Sequence, residues 1–400
     1  MLISNSLLRI KPSATLEITA KAALLKSQGK DVISLSIGEP DFFTPEVAQN
    51  AGIDAIKNCD DKYPPTSGTA QLKDKIIEKF KTDNGLDYKR SQIIVSNGAK
   101  QVLFNAFFAL LNPGDEVLLP TPYWVSYSDM VKVPGGVPIA VKSDKNFKID
   151  IADLENKISE KTKVLVINSP NNPSGVCYDK SDLEVLAKVL LKHPKIQIIS
   201  DDIYEHILYD EQKFCNILQV EPKLKEQTII VNGVSKCYAM TGWRIGYAAI
   251  PNPEIFKYIN ILQMQTTGGA CSIAQAAAVG ALSTDHSLFK QRSLVFKSRR
   301  DSALQILSSA PGLECNKPSG AFYLFPCCKG LIGKQTKNGK KISNDVEFTT
   351  YLLEEYLLSV VPGSEFGMPG YFRISYALST EKLEIACKRI VKACEELFAL

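Results

Sequence analysis

The feature that most constrains the fold is a regular alternation of short apolar runs with helical patterns, between about Pro45 and residue 290. Helical patterns such as Ser181–Leu191 separate the apolar runs. Those runs are Ile93–Ser96, Glu116–Leu119, Lys163–Ile167, Ile196–Ser200 and Thr228–Val231. Strands that are apolar without a break are typical of parallel sheets buried on both faces. We therefore predict an α/β fold in which a mostly parallel sheet lies between layers of helices.

The two ends of the chain show other patterns. After about residue 290, a charged helical pattern around Lys297–Leu307 precedes strand-like Ala321–Phe325 and Tyr371–Tyr376. This mixture predicts a smaller α+β domain. The first residues suggest a helix that ends near Gly29 and a short strand at Val32–Ile37. Since 400 residues exceed what one simple core holds, we predict an N-terminal segment (1–44) packed with the small domain (291–400), and a large domain (45–290).

Composition narrows the classes of function. A net charge of +4 over 400 residues gives no reason to expect a nucleic-acid or membrane partner. We find neither a secretory signal nor an apolar stretch of about 18 residues. The ten cysteines are scattered without a CxxC pair, and the three histidines lack metal-ligand spacing. We therefore expect free thiols and a cytoplasmic protein, and neither a zinc site nor a Ser-His-Asp hydrolase.

One lysine stands at the end of a predicted buried strand. Lys236 lies in the run Val231–Gly246, between the small residues Gly233 and Ser235 on one side and a turn-rich stretch on the other. A lysine held away from water loses proton affinity, so its amine can attack an aldehyde and form a Schiff base. Considered alone, an ordinary solvated loop lysine is the better interpretation.

Three further strand ends carry polar residues, where open α/β sheets bind ligands. Ser96–Lys100 joins a strand to a helix N-terminus that suits a phosphate, although it matches neither a Walker nor a GxGxxG motif. Asn168–Gly175 holds two adjacent amides in a proline-rich loop, and considered alone a plain turn is the better interpretation. Ser200–Tyr204 has two adjacent acids, which could also cap a helix.

Arg373 interrupts an apolar strand, where an unpaired guanidinium is costly. Either a carboxylate of the protein or one of a ligand must meet it. Together with the strand-end residues, this arginine matches the needs of pyridoxal phosphate and an amino-acid substrate. The cofactor needs a lysine, an acid for its ring nitrogen, donors for its phenolic oxygen and a phosphate cradle, and the substrate carboxylate needs an arginine.

The chain resembles the class I pyridoxal-phosphate aminotransferases of fold type I, and is most similar to bacterial aspartate aminotransferases of subgroup Ib. The resemblance covers essentially all 400 residues. It is carried by the motifs Lys11–Thr15 (KPSAT), Ser36–Phe42 (SIGEPDF), Tyr63–Thr69 (YPPTSGT), Ser96–Gln101 (SNGAKQ), Pro122–Tyr127 (PYWVSY), Asn168–Gly175 (NSPNNPSG), Ser200–Glu205 (SDDIYE), Gly233–Gly246 (GVSKCYAMTGWRIG) and Phe372–Ala377 (FRISYA). It implies a large domain with a mixed, mostly parallel seven-stranded sheet between helices, plus a smaller α+β domain.

The implied activity is ping-pong transfer of the amino group from L-aspartate to 2-oxoglutarate in a homodimer. Lys236 would bind pyridoxal 5′-phosphate covalently and move the substrate proton, and Asp201 would pair with the ring nitrogen. The implied cofactor contacts are Tyr63 of a second subunit and Gly98, Ala99, Lys100, Trp124, Asn172, Asp201, Tyr204, Ser235, Lys236 and Arg244. The implied substrate contacts are Lys11, Ser13, Thr15, Gly38, Lys100, Trp124, Asn172 and Arg373.

Within that resemblance, Arg373 would hold the α-carboxylate of the substrate. Lys100, together with Ser13 and Thr15, would hold the distal carboxylate. Lys11 makes prephenate a further candidate substrate. Two departures stand out. Gly233 replaces a serine that many class I enzymes use for the phosphate, and Gln263–Ser272 lacks the arginine by which another subgroup holds the distal carboxylate.

The alternatives of the same fold are an aromatic or broad-specificity aminotransferase and a C–S lyase. A cofactor-binding regulator would need a fused helix-turn-helix module, for which we find no room. A dinucleotide-dependent oxidoreductase would need a glycine fingerprint that the sequence lacks.

Overall fold

The computed structural model describes residues 2–10 and 14–399. For residues 14–17 and 19 it describes the backbone but not the side chains. Two of the predicted substrate contacts, Lys11 and Ser13, therefore lie outside the described residues, as does the side chain of Thr15. The helices are α1 Ala14–Ser27, α2 Glu46–Lys57, α3 Ala70–Asn84, α4 Ala99–Leu110, α5 Ser126–Lys132, α6 Ile151–Lys157, α7 Lys180–Leu190, α8 Ile217–Val220, α9 Pro253–Thr266, α10 Ser272–Leu282, α11 Ser287–Leu307, α12 Asp345–Tyr356 and α13 Thr380–Phe398. The strands are β1 Ile33–Ser34, β2 Ile93–Ser96, β3 Glu116–Pro120, β4 Val137–Val141, β5 Thr162–Asn168, β6 Gln197–Asp201, β7 Thr228–Gly233, β8 Gly246–Ala249, β9 Tyr323–Leu324, β10 Leu358–Ser359, β11 Val361–Pro362 and β12 Phe372–Ser375.

The central sheet has seven strands in the order β2-β8-β7-β6-β5-β3-β4. All neighbours are parallel except those of β8, which is antiparallel to both β2 and β7. The carboxyl ends of β2, β5, β6 and β7 therefore meet at one edge, together with the start of β8. The predicted α/β class with a mixed, mostly parallel seven-stranded sheet is confirmed.

Helices cover both faces of this sheet. Successive residues of a strand point to opposite faces, so each strand contributes to two cores. In β2, Ile93 and Val95 belong to a core with Leu72 and Phe80 of α3. The residue between them, Ile94, belongs to a second core with residues of α4 and α9. Every residue of β2 is buried, which explains why its sequence is apolar without alternation.

Helix α3 shows how local signals define an element. The Thr69 side chain caps its first turn by accepting a hydrogen bond from the Leu72 N–H at 3.4 Å. Gly85 ends it in the left-handed conformation, with φ at 65°. Leu72, Ile76 and Phe80 form its buried face, as the spacing predicts.

Several elements differ from the sequence-based prediction. Strands β4 and β8 are absent from the predicted runs, and the predicted strand Val32–Ile37 is reduced to the two residues of β1. The helix predicted around Lys297–Leu307 begins ten residues earlier, at Ser287.

The C-terminal part of the chain carries a separate three-stranded antiparallel sheet in the order β11-β12-β9. The N-terminal segment joins this part, since β1 pairs in parallel with β10 through Ile33 and Leu358. Arg299 of α11 also binds Asp41 through two hydrogen bonds of 2.7 and 2.8 Å. The domain limits at residues 44 and 290 remain a prediction.

Two general expectations can be compared with the described residues. All ten cysteines are free, and Cys387 and Cys394 are buried on α13. In the part of the chain that the structure describes, no helix combines the length and apolarity needed to cross a bilayer.

Candidate active site

A cavity of about 380 Å³ opens where the central strands end. Its volume lies within the range of small-molecule sites. The loops after β5, β6 and β7 and the first turn of α4 contribute to its wall, and residues of β12 and of the loop after β1 complete it. The cavity therefore draws on the central sheet, the small antiparallel sheet and the N-terminal segment.

Lys236 follows β7 and reaches into this cavity. Its Nζ donates a hydrogen bond of 2.7 Å to the backbone oxygen of Gly38. Burial, and then the positive charge of Arg373, lower the pKa of Lys236 to about 8. Much of the lysine is thus an uncharged amine at mildly alkaline pH, the form that can act as a nucleophile or accept a proton.

Asp201 is the last residue of β6 and is only 4% exposed. Its Oδ2 accepts a hydrogen bond of 2.5 Å from the Tyr127 hydroxyl. Its Oδ1 is buried and has no hydrogen-bond partner among the described residues. Burial raises the pKa of Asp201 to about 6. The hydrogen bond from Tyr127, the backbone N–H of Ile203 and the charge of Lys236 oppose that rise. The site thus holds a buried carboxylate with one free acceptor.

The start of α4 and the loop before β8 form a corner suited to an anion. Gly98 precedes α4 with φ at 84°, and a Cβ there would lie 2.3 Å from Nη2 of Arg244. A Cβ on Gly246 would lie 2.1 Å from the Ala99 nitrogen. Glycine at both positions lets the Arg244 guanidinium and β8 approach the first turn of the helix, where the N–H groups of Ala99 and Lys100 come before the first hydrogen bond of the helix. Ser235 lines the same cavity.

Arg373 lies in β12 and is 5% exposed. Its guanidinium donates to Oδ1 of Asn172 at 2.9 Å and to the backbone oxygen of Ser36 at 2.5 Å. Its Nε has no partner, and no carboxylate among the described residues pairs with it. Burial lowers the pKa of Arg373. A buried, unpaired guanidinium at a cavity is costly for stability, and it is ready to meet an anionic ligand.

Buried amides and phenols connect these groups. Asn168 donates to the backbone oxygen of Asp201 at 2.9 Å and accepts from the Asn172 N–H at 2.9 Å. The hydroxyls of Tyr204 and Tyr323 are 2.8 Å apart. The loop after β5 is thereby fixed to the end of β6, which places the Asn172 amide and the Tyr204 hydroxyl on the same cavity.

Trp124 and Lys100 line the cavity on the side of α4 and α5. The Lys100 Nζ lies 5.0 Å from the centre of the Trp124 ring, a cation–π distance. Partial desolvation, and then the charge of Arg244, lower the pKa of Lys100. Trp124 supplies a flat apolar surface and Lys100 a second cation, separate from Arg373.

Two glycines singled out in the sequence are explained by close packing within the protein. A Cβ on Gly38 would lie 2.3 Å from the Tyr323 hydroxyl oxygen. A Cβ on Gly233 would lie 2.9 Å from the backbone oxygen of Ile245 and 3.3 Å from Ile203. A serine at position 233 would therefore need room that this chain does not provide.

The chain matches the family model described as aminotransferase class I and II over residues 30–390. The chain belongs to this aminotransferase family. It is 49% identical to a probable aspartate/prephenate aminotransferase of Rhizobium leguminosarum bv. phaseoli, over 98% of each chain. It is 48% identical to the aspartate aminotransferase of Rhizobium meliloti strain 1021, over 96% of this chain and 94% of that one.

Solved structures agree with this membership. The aspartate aminotransferase structure from Rhizobium meliloti is similar with a TM-score of 0.96 and 46% identity, over 99% of both chains. That of Thermus thermophilus aspartate aminotransferase with maleate gives a TM-score of 0.90 and 38% identity, over 98% of this chain and 100% of that one. The predicted family and fold are confirmed.

Most residues that the aminotransferase resemblance singled out come together. Those lining the cavity are Gly38, Ala99, Lys100, Trp124, Asn172, Asp201, Tyr204, Ser235, Lys236, Arg244 and Arg373. Gly98 lies directly beside Arg244. Tyr63, by contrast, is fully exposed and is not part of the cavity wall of its own chain.

The cavity residues that received no role from the sequence include Tyr127, Asn168 and Tyr323. Tyr127 and Asn168 lie within the motifs Pro122–Tyr127 and Asn168–Gly175, and this location was the only sequence signal that they belong to the site. Tyr323 stands in an apolar strand-like run whose residues are typical of a core. Nothing in that run indicates its contact with Tyr204, which is 119 residues away.

One histidine lies in a cluster with two acidic residues that the sequence does not reveal. His206 Nε2 lies 3.2 Å from Asp83 Oδ2 and 3.6 Å from Glu205 Oε1, and Asp83 also faces His286 at 3.4 Å. Asp83 and His286 are far in the sequence from the adjacent residues Glu205 and His206, so sequence spacing could not reveal the cluster. Glu205 already accepts from Lys79, with which it forms a buried ion pair. The Lys79 ammonium therefore supplies the cation of this cluster.

Proposed function

We propose that this protein is an aspartate aminotransferase that uses pyridoxal 5′-phosphate and transfers the amino group of L-aspartate to 2-oxoglutarate, giving oxaloacetate and L-glutamate. One observation carries the proposal. Arg373 is buried in the same cavity as the Lys236 amine, and no carboxylate of the described residues pairs with it. The family membership and the names of the relatives support it.

The residues present fit the cofactor. The free Oδ1 of Asp201 suits a protonated ring nitrogen, and the corner formed by Gly98, Ser235 and Arg244 suits a phosphate. The Asn172 amide and the Tyr204 hydroxyl are the candidate donors to the phenolic oxygen, and Trp124 the candidate stacking partner. When bound, pyridoxal phosphate supplies an aldehyde for an amine and a ring that withdraws electrons from the substrate Cα.

The protein's own part in the chemistry is to bind the substrate and to move a proton. We assign proton transfer at Cα to the Lys236 Nζ, since a pKa of about 8 allows it to accept and return a proton near neutral pH. We assign the α-carboxylate to Arg373, whose planar guanidinium binds carboxylates through two parallel hydrogen bonds. With two donors already on Asn172 and Ser36, this guanidinium is held in place before substrate arrives.

The proposed distal-carboxylate residue is Lys100, with Ser13 and Thr15. Lys100 presents a second cation at the cavity, and this supports a dicarboxylate substrate. The similar Thermus thermophilus structure is one with maleate, itself a dicarboxylate. Prephenate is a second substrate to assay, because the relatives at 49% identity carry both names.

A spectrum and a trapping reaction test the cofactor and the nucleophile. The protein purified with pyridoxal phosphate is expected to be yellow, and L-aspartate should bleach that band while oxaloacetate accumulates. Borohydride reduction should fix the cofactor on the peptide that contains Lys236, and the variant Lys236→Ala should incorporate none. A colourless protein, or cofactor fixed on Lys100 instead, would refute the proposal.

We also propose that the active enzyme is a homodimer to which Tyr63 contributes in trans. Tyr63 is fully exposed, and Phe43, Ile53 and Ile56 nearby in the sequence are exposed apolar residues, as at protein interfaces. A cytoplasmic location remains part of this proposal.

Mixing two inactive variants tests the trans contribution. In a hybrid of Lys236→Ala and Tyr63→Ala subunits, one site would hold an intact Lys236 and an intact Tyr63 from the other subunit. After unfolding and refolding together, an equal mixture should regain about a quarter of wild-type activity, because half the dimers are hybrids with one good site. No gain over the separate variants, or a monomer by light scattering, would contradict the proposal.

A further inference from the structure

The Tyr127 hydroxyl contacts the carboxylate of Asp201 and is not assigned to a ligand. It is the second residue of α5, is 1% exposed, and its hydroxyl meets Asp201 Oδ2 at 2.5 Å. Its ring packs edge-on against Trp124, with centroids 5.3 Å apart and an interplanar angle of 89°. The ring therefore supports the apolar wall of the cavity, and the hydroxyl addresses the carboxylate.

The two oxygens of Asp201 are thereby made different. Oδ2 is occupied by a short hydrogen bond to a buried phenol, whereas Oδ1 has no partner among the described residues. Burial alone favours the protonated form of a carboxylate. The Tyr127 hydroxyl is the largest influence that opposes this effect at Asp201, ahead of the Ile203 N–H and the charge of Lys236. Burial and the charge of Asp201 both raise the pKa of Tyr127, so the phenol keeps its proton and remains a donor.

We propose that Tyr127 is a positioning residue that fixes Asp201 by Oδ2, keeps it ionised, and so presents Oδ1 alone to the ring nitrogen of the cofactor. This inference rests on the proposed function. It assigns no direct ligand contact to the Tyr127 hydroxyl, which acts only through Asp201.

The variant Tyr127→Phe tests this inference, because it keeps the ring against Trp124 and removes only the hydroxyl. Binding of pyridoxal phosphate to the apo-protein should weaken about tenfold, the effect of one hydrogen bond to a charged group. In apo-protein labelled with ¹³C at aspartate carboxyls, the Asp201 resonance should titrate at a higher pH than in the wild type. Tyr127→Met is a second variant without a hydroxyl, should Tyr127→Phe not fold.

Tyr88→Phe is the matched control, since the Tyr88 hydroxyl is buried and has no hydrogen-bond partner in the described part of the chain. It should bind the cofactor as tightly as the wild type. A double-mutant cycle separates positioning from general packing: in an Asp201→Asn background, Tyr127→Phe should cause no further loss of affinity.

Equal cofactor affinity in Tyr127→Phe and Tyr88→Phe, or an unchanged loss in the Asp201→Asn background, would overturn the inference. Failure of the proposed function looks different. In that case the wild-type protein itself would not bind pyridoxal phosphate, while the titration of Asp201 in the apo-protein would still report whether Tyr127 controls it.

Discussion

At the scale of single residues, Asp201 shows a conflict between stability and function. Its pKa of about 6 in the folded protein lies above the ordinary 3.8. The folded state therefore binds the proton more tightly than the unfolded state, and stability falls as pH rises from 3.8 through 6. Above pH 6 the full cost of an ionised, buried carboxylate is present, at most about 3 kcal/mol.

Asp201→Asn should therefore stabilise the apo-protein at pH 7 to 8, since the amide resembles the protonated acid. The gain should shrink towards zero near pH 4, where both forms are uncharged. Denaturant unfolding at several pH values measures it, with the cofactor removed. An Asp201→Asn variant that is less stable than the wild type at pH 8 would show that the carboxylate is stabilised by contacts other than those described.

Lys100 offers a prediction about substrate choice. Lys100→Met should raise KM for aspartate by about tenfold or more, because it removes the cation assigned to the distal carboxylate. KM for alanine and phenylalanine should change little, since they have no second carboxylate. Steady-state kinetics with the three amino acids measure the difference. Equal effects on all three would remove Lys100 from the specificity assignment.

At the scale of elements, Gly98 before α4 is needed for two reasons, its backbone conformation and its close approach to Arg244. Its positive φ is unfavourable for other residues, and a Cβ would also collide with the Arg244 guanidinium. Gly98→Ala should lower stability by about 1 to 2 kcal/mol and should also weaken cofactor binding.

Gly114→Ala is the control for that prediction. Gly114 has a φ of 93° but nothing within 4 Å of its would-be Cβ. This variant should lose similar stability by thermal or denaturant unfolding, yet bind pyridoxal phosphate normally. If both variants bind the cofactor equally, the contact between Gly98 and Arg244 has no role in the anion site.

The elements also show what sequence patterns can and cannot reveal. The buried strands β2, β5, β6 and β7 are evident from the sequence because both of their faces need apolar residues. Edge strand β4 is partly exposed and contains Pro138, and β8 consists of Gly246, Tyr247 and two alanines. Proline, glycine and small residues are typical of turns, so the sequence does not indicate these strands. They can be recognised only from their pairing with distant strands in the structure.

The same distinction applies to the site. Asp201 and Asn172 could be predicted because they follow strands whose ends must meet at one edge of the sheet. Tyr127 could not be assigned a role, because its acceptor lies 74 residues further along the chain. Gly233 shows the limit of comparison by motif, since its meaning depends on the Ile245 oxygen that packs against it.

At the scale of the whole molecule, the contact between Arg299 and Asp41 links α11 to the N-terminal segment. The Arg299 side chain is only 8% exposed, and Asp41 receives two of its N–H groups. Arg299→Met should lower the free energy of unfolding by about 2 kcal/mol, since Asp41 loses its partner. Lys75→Met removes an exposed ion pair and should cost under about 0.5 kcal/mol. Similar losses in urea unfolding would count against a special role for Arg299.

The pairing of β1 with β10 has a consequence for biosynthesis. Ile33 is synthesised 325 residues before its partner Leu358. At roughly 5–20 residues per second, the first strand waits on the order of half a minute for the second. Over that interval the loop that supplies the Ser36 and Gly38 oxygens lacks this anchor. A nascent chain can thus build the central sheet and the Lys236 loop first, and the substrate side of the cavity closes only after β10 and β12 have been made.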